Sequence, residues 1–474
     1  RCAIVTGVQT CALPIWGVET VAGTVTDALF DPSLRIGVTG LSRAGKTVFI
    51  TSLVANLIDR GRMPQLAAAA DGRITAAFLQ PQPDDAIPRF DYEAHHAALT
   101  GPQPHWPDST RAVSQLRLSL RLRAGGLIGG VTGPRTLHLD IVDYPGEWLL
   151  DLALMDKDFT AWSRDTLDRM TSRPGGEEFR AALDAAAPDR PMDEPAAQAL
   201  ASAFTASLQA ARAAGFSDCT PGRFLLPGEM AGSPVLTFAP LPSGPAPRGS
   251  LRAEFARRFA AYKERVVRPF FRDHFARLDR QIVLVDALGA IHDGPRAVED
   301  LRRTLGEVLS AFRPGAGSWL GRLLGARRVD RILFAATKAD HLHHTQHPKL
   351  TAIMEALVRD ARARADFAGA KTAAMSIAAL RTTVEETRAH GGRELDLVRG
   401  QLLDTGREAA LHPGDLPADP AALLSPAREG AARWLDGDYG VMRFAPAPLS
   451  LRPGDGPPHI RLDRAAQFLI GDRL

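Results

Sequence analysis

Cysteine, long apolar runs and an excess of either charge are all scarce in this sequence. The chain has 474 residues and 3 Cys, too few for a disulfide scaffold, and it therefore fits a reducing compartment. No stretch approaches the roughly 18 to 20 uninterrupted apolar residues of a membrane span, so we do not expect an integral membrane protein. The formal net charge of +3 is small and dispersed, which argues against nucleic acid as a partner.

The remaining composition is that of a globular chain, with 45% hydrophobic and 23% charged residues, and roughly three structural units are expected at this length. Residues 1–16 hold two of the three cysteines and lack the apolar core and cleavage site of a signal peptide. They resemble translated sequencing-adapter sequence, and we expect them to be non-native. Cys219 is then the native thiol, expected as a small buried apolar residue rather than a nucleophile.

Apolar periodicity predicts an α/β fold. Strands are predicted at residues 34–39, 115–123, 136–142, 281–288, 331–336 and 373–377, and a helix at 48–58. A glycine-rich turn at 125–133 makes two of these strands an antiparallel hairpin, whereas the continuous apolar runs at 281–288 and 331–336 are typical of buried parallel strands. The expected architecture is a three-layer α/β fold whose mixed sheet has one antiparallel hairpin strand.

Composition also predicts the organisation of the chain. Residues 151–279 are rich in alanine, have helical periodicity and are punctuated by proline and glycine, which predicts a large helical insertion. It separates two sheet-forming parts at 17–150 and 280–380, and residues 381–474 form a C-terminal segment that packs on them.

A phosphate-binding loop is predicted directly after the first strand, where the sequence fits G-x-x-x-x-G-K-[ST] and a helix follows. Backbone N–H groups and the helix N-terminus would bind phosphate oxygens, Lys46 would neutralise β/γ charge, and the Thr47 hydroxyl would ligate Mg²⁺. The alternative is a glycine-rich turn with a solvated lysine. The residues expected to bind the nucleotide here are Gly40, Ser42, Arg43, Ala44, Gly45, Lys46, Thr47 and Val48.

A second motif, Thr337-Lys338-Ala339-Asp340, follows a buried strand and fits [NT]-K-x-D. At the carboxyl edge of the sheet, the Asp340 carboxylate could accept both N1–H and N2–H of guanine, a donor pair that adenine lacks. The alternative is that Asp340 caps a helix and Lys338 is a surface residue. Ser376 and Ile377 follow the next candidate strand and could supply a backbone N–H to the base.

Between these motifs lies a D-x-x-G pattern that begins at Asp143 and ends at Gly146. An acid at a strand end can hold Mg²⁺ through water, and a backbone N–H at the glycine could sense a γ-phosphate. Pro-Gly more often marks a plain turn, so the order of the motifs carries the interpretation. Asp286, which ends another strand, is a rival for the metal-binding acid.

The order of the motifs resembles that of Ras-like GTPases. More closely, the strings GLSRAGKTVFITSLV, DYPGEWLLDLAL, VLVDAL, LFAATKADH and RLDRAAQFLIGDRL resemble the YcjX family of bacterial P-loop GTPases. The resemblance runs from about residue 17 to the end of the chain. It implies a P-loop NTPase fold with a Ras-like G domain and a GTP/GDP cofactor bound with Mg²⁺. It also implies GTP hydrolysis in the cytoplasm, a link to envelope stress and a membrane-protein partner.

Catalytic residues are expected from the same resemblance. Ras-like enzymes have a water-orienting glutamine after D-x-x-G, where this chain has Glu147. Its charge would repel a γ-phosphate, so slow turnover is expected, and the alternative is that Glu147 only caps a helix. Thr110 is the candidate for the second threonine on Mg²⁺, and Arg111 could act as an arginine finger in cis, although a surface role is the commoner one.

Three functional classes follow from these patterns. The first is a GTPase switch; the second is a GTP-bound scaffold with negligible hydrolysis, which Glu147 favours; the third is an ATP-using enzyme. Two further segments have plain interpretations. The four histidines at 341–347 lack accompanying Cys or acidic residues, so a loop or helix start is preferred to a metal site. The apolar basic tract at 319–328 could contact the inner membrane peripherally, but ordinary helix packing is preferred.

Overall fold

The described part of the chain forms two β-sheets and the helices that cover them. The structure, a computed structural model, describes residues 32–41, 44–108, 112–123, 134–310, 329–367, 369–434 and 439–474. Several sequence predictions lie outside these ranges: residues 1–16, the turn at 125–133, the tract at 319–328, Ser42, Arg43, Thr110 and Arg111.

Within the described ranges, the larger sheet has seven strands in the order β2-β3-β4-β1-β5-β6-β7. Its strands are β1 (Ser33–Gly40), β2 (Ile74–Gln80), β3 (Ser114–Leu122), β4 (Arg135–Asp143), β5 (Arg280–Val285), β6 (Arg331–Ala336) and β7 (Lys371–Ser376). Because β3 pairs antiparallel with both β2 and β4 and the other pairs are parallel, β3 alone runs against the others. This confirms the predicted α/β class and mixed sheet.

The predicted strand positions are close to the observed ones except at 281–288. There β5 ends at Val285, because the Asp286 side chain accepts a hydrogen bond from the Gly289 N–H and caps the helix that follows. The run of apolar residues therefore spans a strand and the start of a helix, and the prediction of one long strand was wrong. The edge strand β2 was not predicted.

Sixteen α-helices are present in the described residues. They are α1 (Lys46–Ile58), α2 (Ala67–Ala70), α3 (Tyr92–Thr100), α4 (Gly146–Leu150), α5 (Phe159–Met170), α6 (Gly176–Ala185), α7 (Glu194–Ala213), α8 (Gly222–Leu225), α9 (Leu251–Tyr262), α10 (Arg268–Asp273), α11 (Ala287–Asp293), α12 (Pro295–Ser310), α13 (His347–Leu357), α14 (Arg359–Phe367), α15 (Ala421–Arg428) and α16 (Leu462–Ile470). Helices α4 to α10 lie between β4 and β5, which confirms the helical insertion. Its exact boundaries at 151 and 279 stay a prediction.

The larger sheet separates two apolar layers, as a strand buried on both faces requires. Along β5, Ile282 and Leu284 belong to the layer that contains α1 and α16, whereas Val283 and Val285 belong to the layer that contains the inserted helices. The insertion therefore shares one continuous core with this face of the sheet.

The C-terminal segment supplies a small antiparallel sheet and a final helix. The small sheet has the order β10-β9-β8, with β8 (Val384–His390), β9 (Arg393–Gln401) and β10 (Glu408–Leu411). After α16, the Asp472 carboxylate forms ion pairs with Arg280 at 2.9 Å and with Arg331 at 3.0 Å. These two arginines are the first residues of β5 and β6. The chain end is thus fixed at the amino edge of the larger sheet.

Two expectations from composition can be compared with the fold. Cys219 is buried, and burial raises the pKa of its thiol to about 12, which confirms the expected apolar environment and disfavours a thiolate nucleophile. In the described part of the chain, no helix combines the length and the apolar character needed to cross a membrane.

Candidate nucleotide-binding site

The sequence motifs meet at the carboxyl edge of the larger sheet. In the parallel register, Gly40 at the end of β1 pairs with Leu284 of β5, and Ala336 at the end of β6 pairs with Val285 and Ser376. Since neighbouring strands lie about 4.8 Å apart, the loops after β1 and β6 begin roughly 10 Å from each other. We name the two parts of this edge after the predicted roles of their motifs: the phosphate side follows β1 and β4, and the base side follows β6 and β7.

On the phosphate side, a glycine loop leads into an uncapped helix. Gly45 has a φ of 78° and is the N-cap of α1, which has no side-chain cap and no acidic residue in its first turn. Gly40 is closely packed, because a Cβ there would lie 3.1 Å from the Ala44 Cβ. A left-handed glycine before a helix N-terminus is the backbone geometry that binds phosphate.

The lysine of this loop is paired with the acid of D-x-x-G. Lys46 Nζ lies 2.9 Å from Asp143 Oδ1, and the Asp143 carboxylate is fully buried at 0% exposure. Its other oxygen, Oδ2, has no hydrogen-bond partner among the described residues. A buried carboxylate oxygen without a partner is costly, and a metal-bound water or a cation would remove this cost.

The glycine of D-x-x-G touches the start of the phosphate loop. A Cβ on Gly146 would lie 2.2 Å from the Gly40 carbonyl oxygen and 3.2 Å from the Leu41 nitrogen. Contacts this short mean that the backbone must shift to accommodate any side chain at position 146. The structure thus brings together the loop and the residue expected to sense a γ-phosphate.

On the base side, the Asp340 carboxylate is already hydrogen bonded. Asp340 is buried, and its Oδ2 accepts from both the Thr382 N–H at 2.9 Å and the Thr382 hydroxyl at 2.7 Å. The Thr383 hydroxyl donates to the Asp340 carbonyl. Asp340 lies within a short 3₁₀ helix, Ala339–His341, whose N-cap is Lys338. The alternative interpretation, in which Asp340 caps a helix, is therefore wrong.

Thr337 and Lys338 of the tetrad contact the last residue of β5 and the residue that follows it. Lys338 has a φ of 60°, and its ammonium is paired with the Asp286 carboxylate. The Thr337 hydroxyl donates to the Val285 carbonyl at 3.3 Å. Asp286 caps α11 and pairs with Lys338 on the base side. Asp143, its rival for the metal, instead contacts the lysine of the phosphate loop.

The loop after β7 differs from its prediction. The Ser376 N–H donates to the Thr351 hydroxyl at 3.1 Å, and the Ile377 N–H donates to the Ala336 carbonyl at 2.8 Å. Both backbone donors are therefore used inside the protein, and the expectation that either supplies an N–H to a base is contradicted. Ser376 instead fixes the end of β7 against α13.

Comparison with known proteins identifies the family. The sequence model of the YcjX-like family, DUF463, matches residues 34–474. The chain belongs to the YcjX-like family.

Two curated relatives agree with this membership. The "Ras-like GTPase YcjX" of Escherichia coli (strain K12) is 37% identical over 460 residues, covering 94% of this chain and 96% of the relative. The protein of the same name from Shewanella oneidensis (strain MR-1) is 34% identical over 475 residues, covering 94% and 95%. The similarity extends over the helical insertion as well as the sheet.

In this YcjX-like chain, Glu147 is not a simple helix cap. It is mostly buried at 8% exposure, and its Oε1 lies 2.8 Å from Arg212 Nη2 near the end of α7. A Cβ on Gly222 would lie 2.3 Å from the Glu147 carbonyl oxygen. The residue after D-x-x-G is therefore held from both sides by the helical insertion.

Several contacts at or near the site were not predicted from the sequence. Arg212 pairs with Glu147, and Thr382 orients Asp340. Asp151, directly after α4, accepts from the Tyr262 hydroxyl at 2.5 Å and the Gly222 N–H at 2.8 Å. Burial raises the pKa of Asp151 to about 7. No local motif surrounds any of these residues, so only a three-dimensional arrangement could reveal them.

Proposed function

We propose that this chain binds GTP with Mg²⁺ and slowly hydrolyses it to GDP and phosphate, acting as a nucleotide-dependent switch. The observation that carries the proposal is the buried Asp143, which pairs with the phosphate-loop lysine through one oxygen and has no described partner for the other. The curated relatives named as Ras-like GTPases support the same activity.

On the phosphate side, the donors suit a triphosphate. The uncapped N-terminus of α1 and the Lys46 ammonium would bind phosphate oxygens, and Lys46 would then exchange Asp143 for phosphate. Thr47 and Asp143 would hold Mg²⁺, which neutralises phosphate charge when bound. Thr110 is proposed as a further ligand. The unpartnered Asp143 oxygen fits this donor set, because carboxylate and hydroxyl oxygens are what Mg²⁺ prefers.

On the base side, the arrangement suits guanine. A carboxylate has about four lone-pair sites, and Thr382 uses two of them on Asp340 Oδ2. The Oδ1 sites can accept the N1–H and N2–H of guanine. Thr382 also fixes the orientation of the carboxylate, so little conformational freedom is lost on binding. Adenine offers no matching donor pair, and Asp340 Oδ1 would gain no hydrogen bond from it.

Hydrolysis requires water to attack the γ-phosphorus as the bond to the bridging oxygen breaks and GDP leaves. Glu147 is the proposed group that orients this water, but it is held by Arg212 at 2.8 Å. The pair must open before Glu147 can turn toward the phosphates, which supports slow turnover. Arg111 is proposed as the cis arginine finger. An Arg111→Ala variant should lower turnover with little change in GDP affinity, and an equal kcat would remove this assignment.

The switch would act through the insertion. Gly146 touches the phosphate loop, and the next residue, Glu147, touches α7 and α8. A movement of Gly146 toward a γ-phosphate would therefore change the contacts of the inserted helices. The cytoplasmic location, the envelope-stress role and a membrane-protein partner are proposed on family resemblance alone. Fractionation of cells, with a carbonate wash to release peripheral proteins, tests the location.

Calorimetry with GTP, GDP and ATP tests the central proposal. We expect the wild type to bind GTP and GDP far more tightly than ATP. An Asp340→Asn variant should lose at least tenfold of this preference, because its NH₂ group cannot accept hydrogen bonds and must face either the Thr382 donors or the guanine donors. Asp330→Asn is the matched control, since Asp330 precedes β6 at the opposite edge of the sheet and should keep the preference. Equal affinity of the wild type for ATP and GTP would instead indicate an ATP-using enzyme.

A GTP-bound scaffold with negligible hydrolysis is the second candidate. The Glu147–Arg212 ion pair favours the scaffold, because Glu147 stands where Ras-like enzymes have the water-orienting glutamine and its carboxylate is already paired. Phosphate release under saturating GTP distinguishes the two functions. If the pair restrains Glu147, Arg212→Met should raise turnover, whereas a scaffold should release no phosphate in either form.

A further inference from the structure

The histidine tract at 341–347 meets acidic residues that are distant in sequence. As predicted, it is a helix start: a 3₁₀ helix covers His344–Gln346, and α13 begins at His347. The predicted lack of acidic ligands is contradicted, because β8 places Glu385 beside the tract. His344 Nδ1 lies 2.6 Å from Glu385 Oε2, and His343 Nε2 lies 3.8 Å from the same oxygen.

These three side chains converge on one point. One ligand atom from each of His343, His344 and Glu385 lies within 4.8 Å of the others. Two imidazole nitrogens and a carboxylate oxygen are a donor set that Zn²⁺ binds. The His344 side chain is 66% exposed, whereas that of His343 is 9% exposed. An ion could therefore enter from solvent, and a water could complete its coordination.

A second layer of hydrogen bonds orients the inner histidine. His343 Nδ1 lies 3.2 Å from Asp396 Oδ2 and 3.0 Å from the Thr345 hydroxyl oxygen. The Thr345 and Thr387 hydroxyls donate to the two oxygens of Asp396, at 3.0 and 3.1 Å. With its proton on Nδ1, His343 directs the Nε2 lone pair toward Glu385. A carboxylate behind a histidine is the usual support of a metal-binding imidazole.

Hydrogen bonding between the histidines and the acids is the plainer explanation of the same contacts, because a neutral imidazole has one N–H that can donate to a carboxylate. That explanation accounts for each pair by itself. The His343 and His344 rings also lie side by side, with centroids 4.3 Å apart, and a ligand nitrogen from each lies within 4.8 Å of a Glu385 oxygen. A cation bound there would replace the His344–Glu385 hydrogen bond, and zinc binding therefore distinguishes the two explanations.

We propose that His343, His344 and Glu385 bind a zinc-class divalent ion, with Asp396 as the supporting carboxylate. The mixed nitrogen and oxygen donors favour such an ion over Mg²⁺, which prefers oxygen alone. The ion would join the segment after Asp340 to β8, and through Asp396 to β9. The site does not depend on the proposed GTPase activity, since it shares no residue with the nucleotide site.

Zinc titration of the full-length, chelator-treated protein tests the proposal. Calorimetry should give one zinc per chain, and Co²⁺ in place of zinc should give the visible absorption of a tetrahedral site. His344→Ala and Glu385→Gln should each weaken zinc binding at least tenfold, and Asp396→Asn by about 10- to 100-fold. His344 is exposed, so its removal should leave the fold intact. His105→Ala, an exposed histidine elsewhere, should bind zinc like the wild type.

Three outcomes would overturn the proposal. They are no stoichiometric zinc binding, equal binding by the wild type and His344→Ala, and the same weakening in His105→Ala. Asp340→Asn separates this proposal from the previous one, because it should lose guanine preference but keep zinc affinity. Zinc should also raise the Tm of the wild type and not that of His344→Ala.

Discussion

The two sides of the candidate nucleotide site each contain a buried carboxylate, but these carboxylates differ in their hydrogen-bond partners. On the phosphate side, Asp143 shares one oxygen with Lys46, and the other oxygen has no partner in the described part of the chain. On the base side, Asp340 accepts two hydrogen bonds from Thr382 on a single oxygen. The phosphate side therefore needs a ligand to complete it, whereas the base side is assembled in advance.

Under the proposed function, this difference predicts different tasks for the two sides. A group that gains a partner on binding contributes affinity, because the cost of its unpaired burial is removed. A group already held in position contributes discrimination, because it cannot adjust to a wrong base. Affinity for phosphate and selectivity for guanine should therefore respond to different substitutions.

Breaking the pair on the phosphate side should have the largest effect. Lys46→Met leaves Asp143 buried without a cation, and removal of one partner of a buried pair costs about 3–5 kcal/mol. Urea unfolding should show this loss, and GTP binding should disappear. The double variant Lys46→Met/Asp143→Asn removes the buried charge and should recover much of the stability. Equal stability of the single variant and the wild type would mean that Asp143 is hydrated rather than dependent on Lys46.

The next largest effect is expected on the base side. Thr382→Val keeps the shape of the side chain and the backbone hydrogen bond but removes the hydroxyl donor to Asp340. Loss of one hydrogen bond to a buried charged group costs about 1.5–3 kcal/mol. The free energy of unfolding should fall by this amount, and the preference for GTP over ATP should weaken. Thr75→Val, whose hydroxyl donates to an exposed carbonyl of β3, is the control and should change neither value.

The fold and the two motif loops could be predicted because each depends on neighbours in sequence. An apolar run followed by glycines and then a helical period defines β1, the phosphate loop and α1 without reference to the rest of the chain. The same reasoning extended β5 too far, because Asp286 ends the strand by capping a helix within a continuous apolar run.

The contacts that complete the site could not be predicted in this way. Thr382 is 42 residues beyond Asp340 in the chain, and no spacing rule connects them. The small sheet was also missed, because β8 has the sequence Val-Glu-Glu-Thr-Arg-Ala-His and lacks apolar alternation. Even its Val384 is 56% exposed. Backbone pairing with β9 rather than burial holds this strand, so hydrophobic patterning gives no signal.

Adding a methyl group at Gly146 tests its contact with Gly40 on the phosphate side. Gly146→Ala places a Cβ against the Gly40 carbonyl, so the backbone must shift. Overpacking of this kind costs about 1–3 kcal/mol, and the urea midpoint and GTP turnover should both fall. Gly306→Ala is the matched control, since Gly306 lies in α12 with open space around it. It should be neutral or slightly stabilising, and an equal loss in both variants would contradict the contact.

A third buried acid sharpens the comparison, because burial raises the pKa of Asp151 even though this carboxyl group accepts hydrogen bonds from Tyr262 and Gly222. Burial raises its pKa from 3.8 to about 7 in the folded chain. Between these values the folded chain holds a proton that the unfolded chain has released. Stability from this group is therefore fully present below about pH 4 and is lost as the pH rises to about 7.

Asp151→Asn should remove this pH dependence. The free energy of unfolding of the variant minus that of the wild type should rise from about pH 4 to 7, by at most about 1.4 kcal/mol per pH unit, and then stay constant. Urea unfolding at a series of pH values measures the difference. Asp168→Asn, on the exposed face of α5, should run parallel to the wild type. If the stability of Asp151→Asn also ran parallel to that of the wild type, the pKa of Asp151 would not be raised in the folded chain. The proposed difference between Asp151 and the other two buried acids would then be wrong.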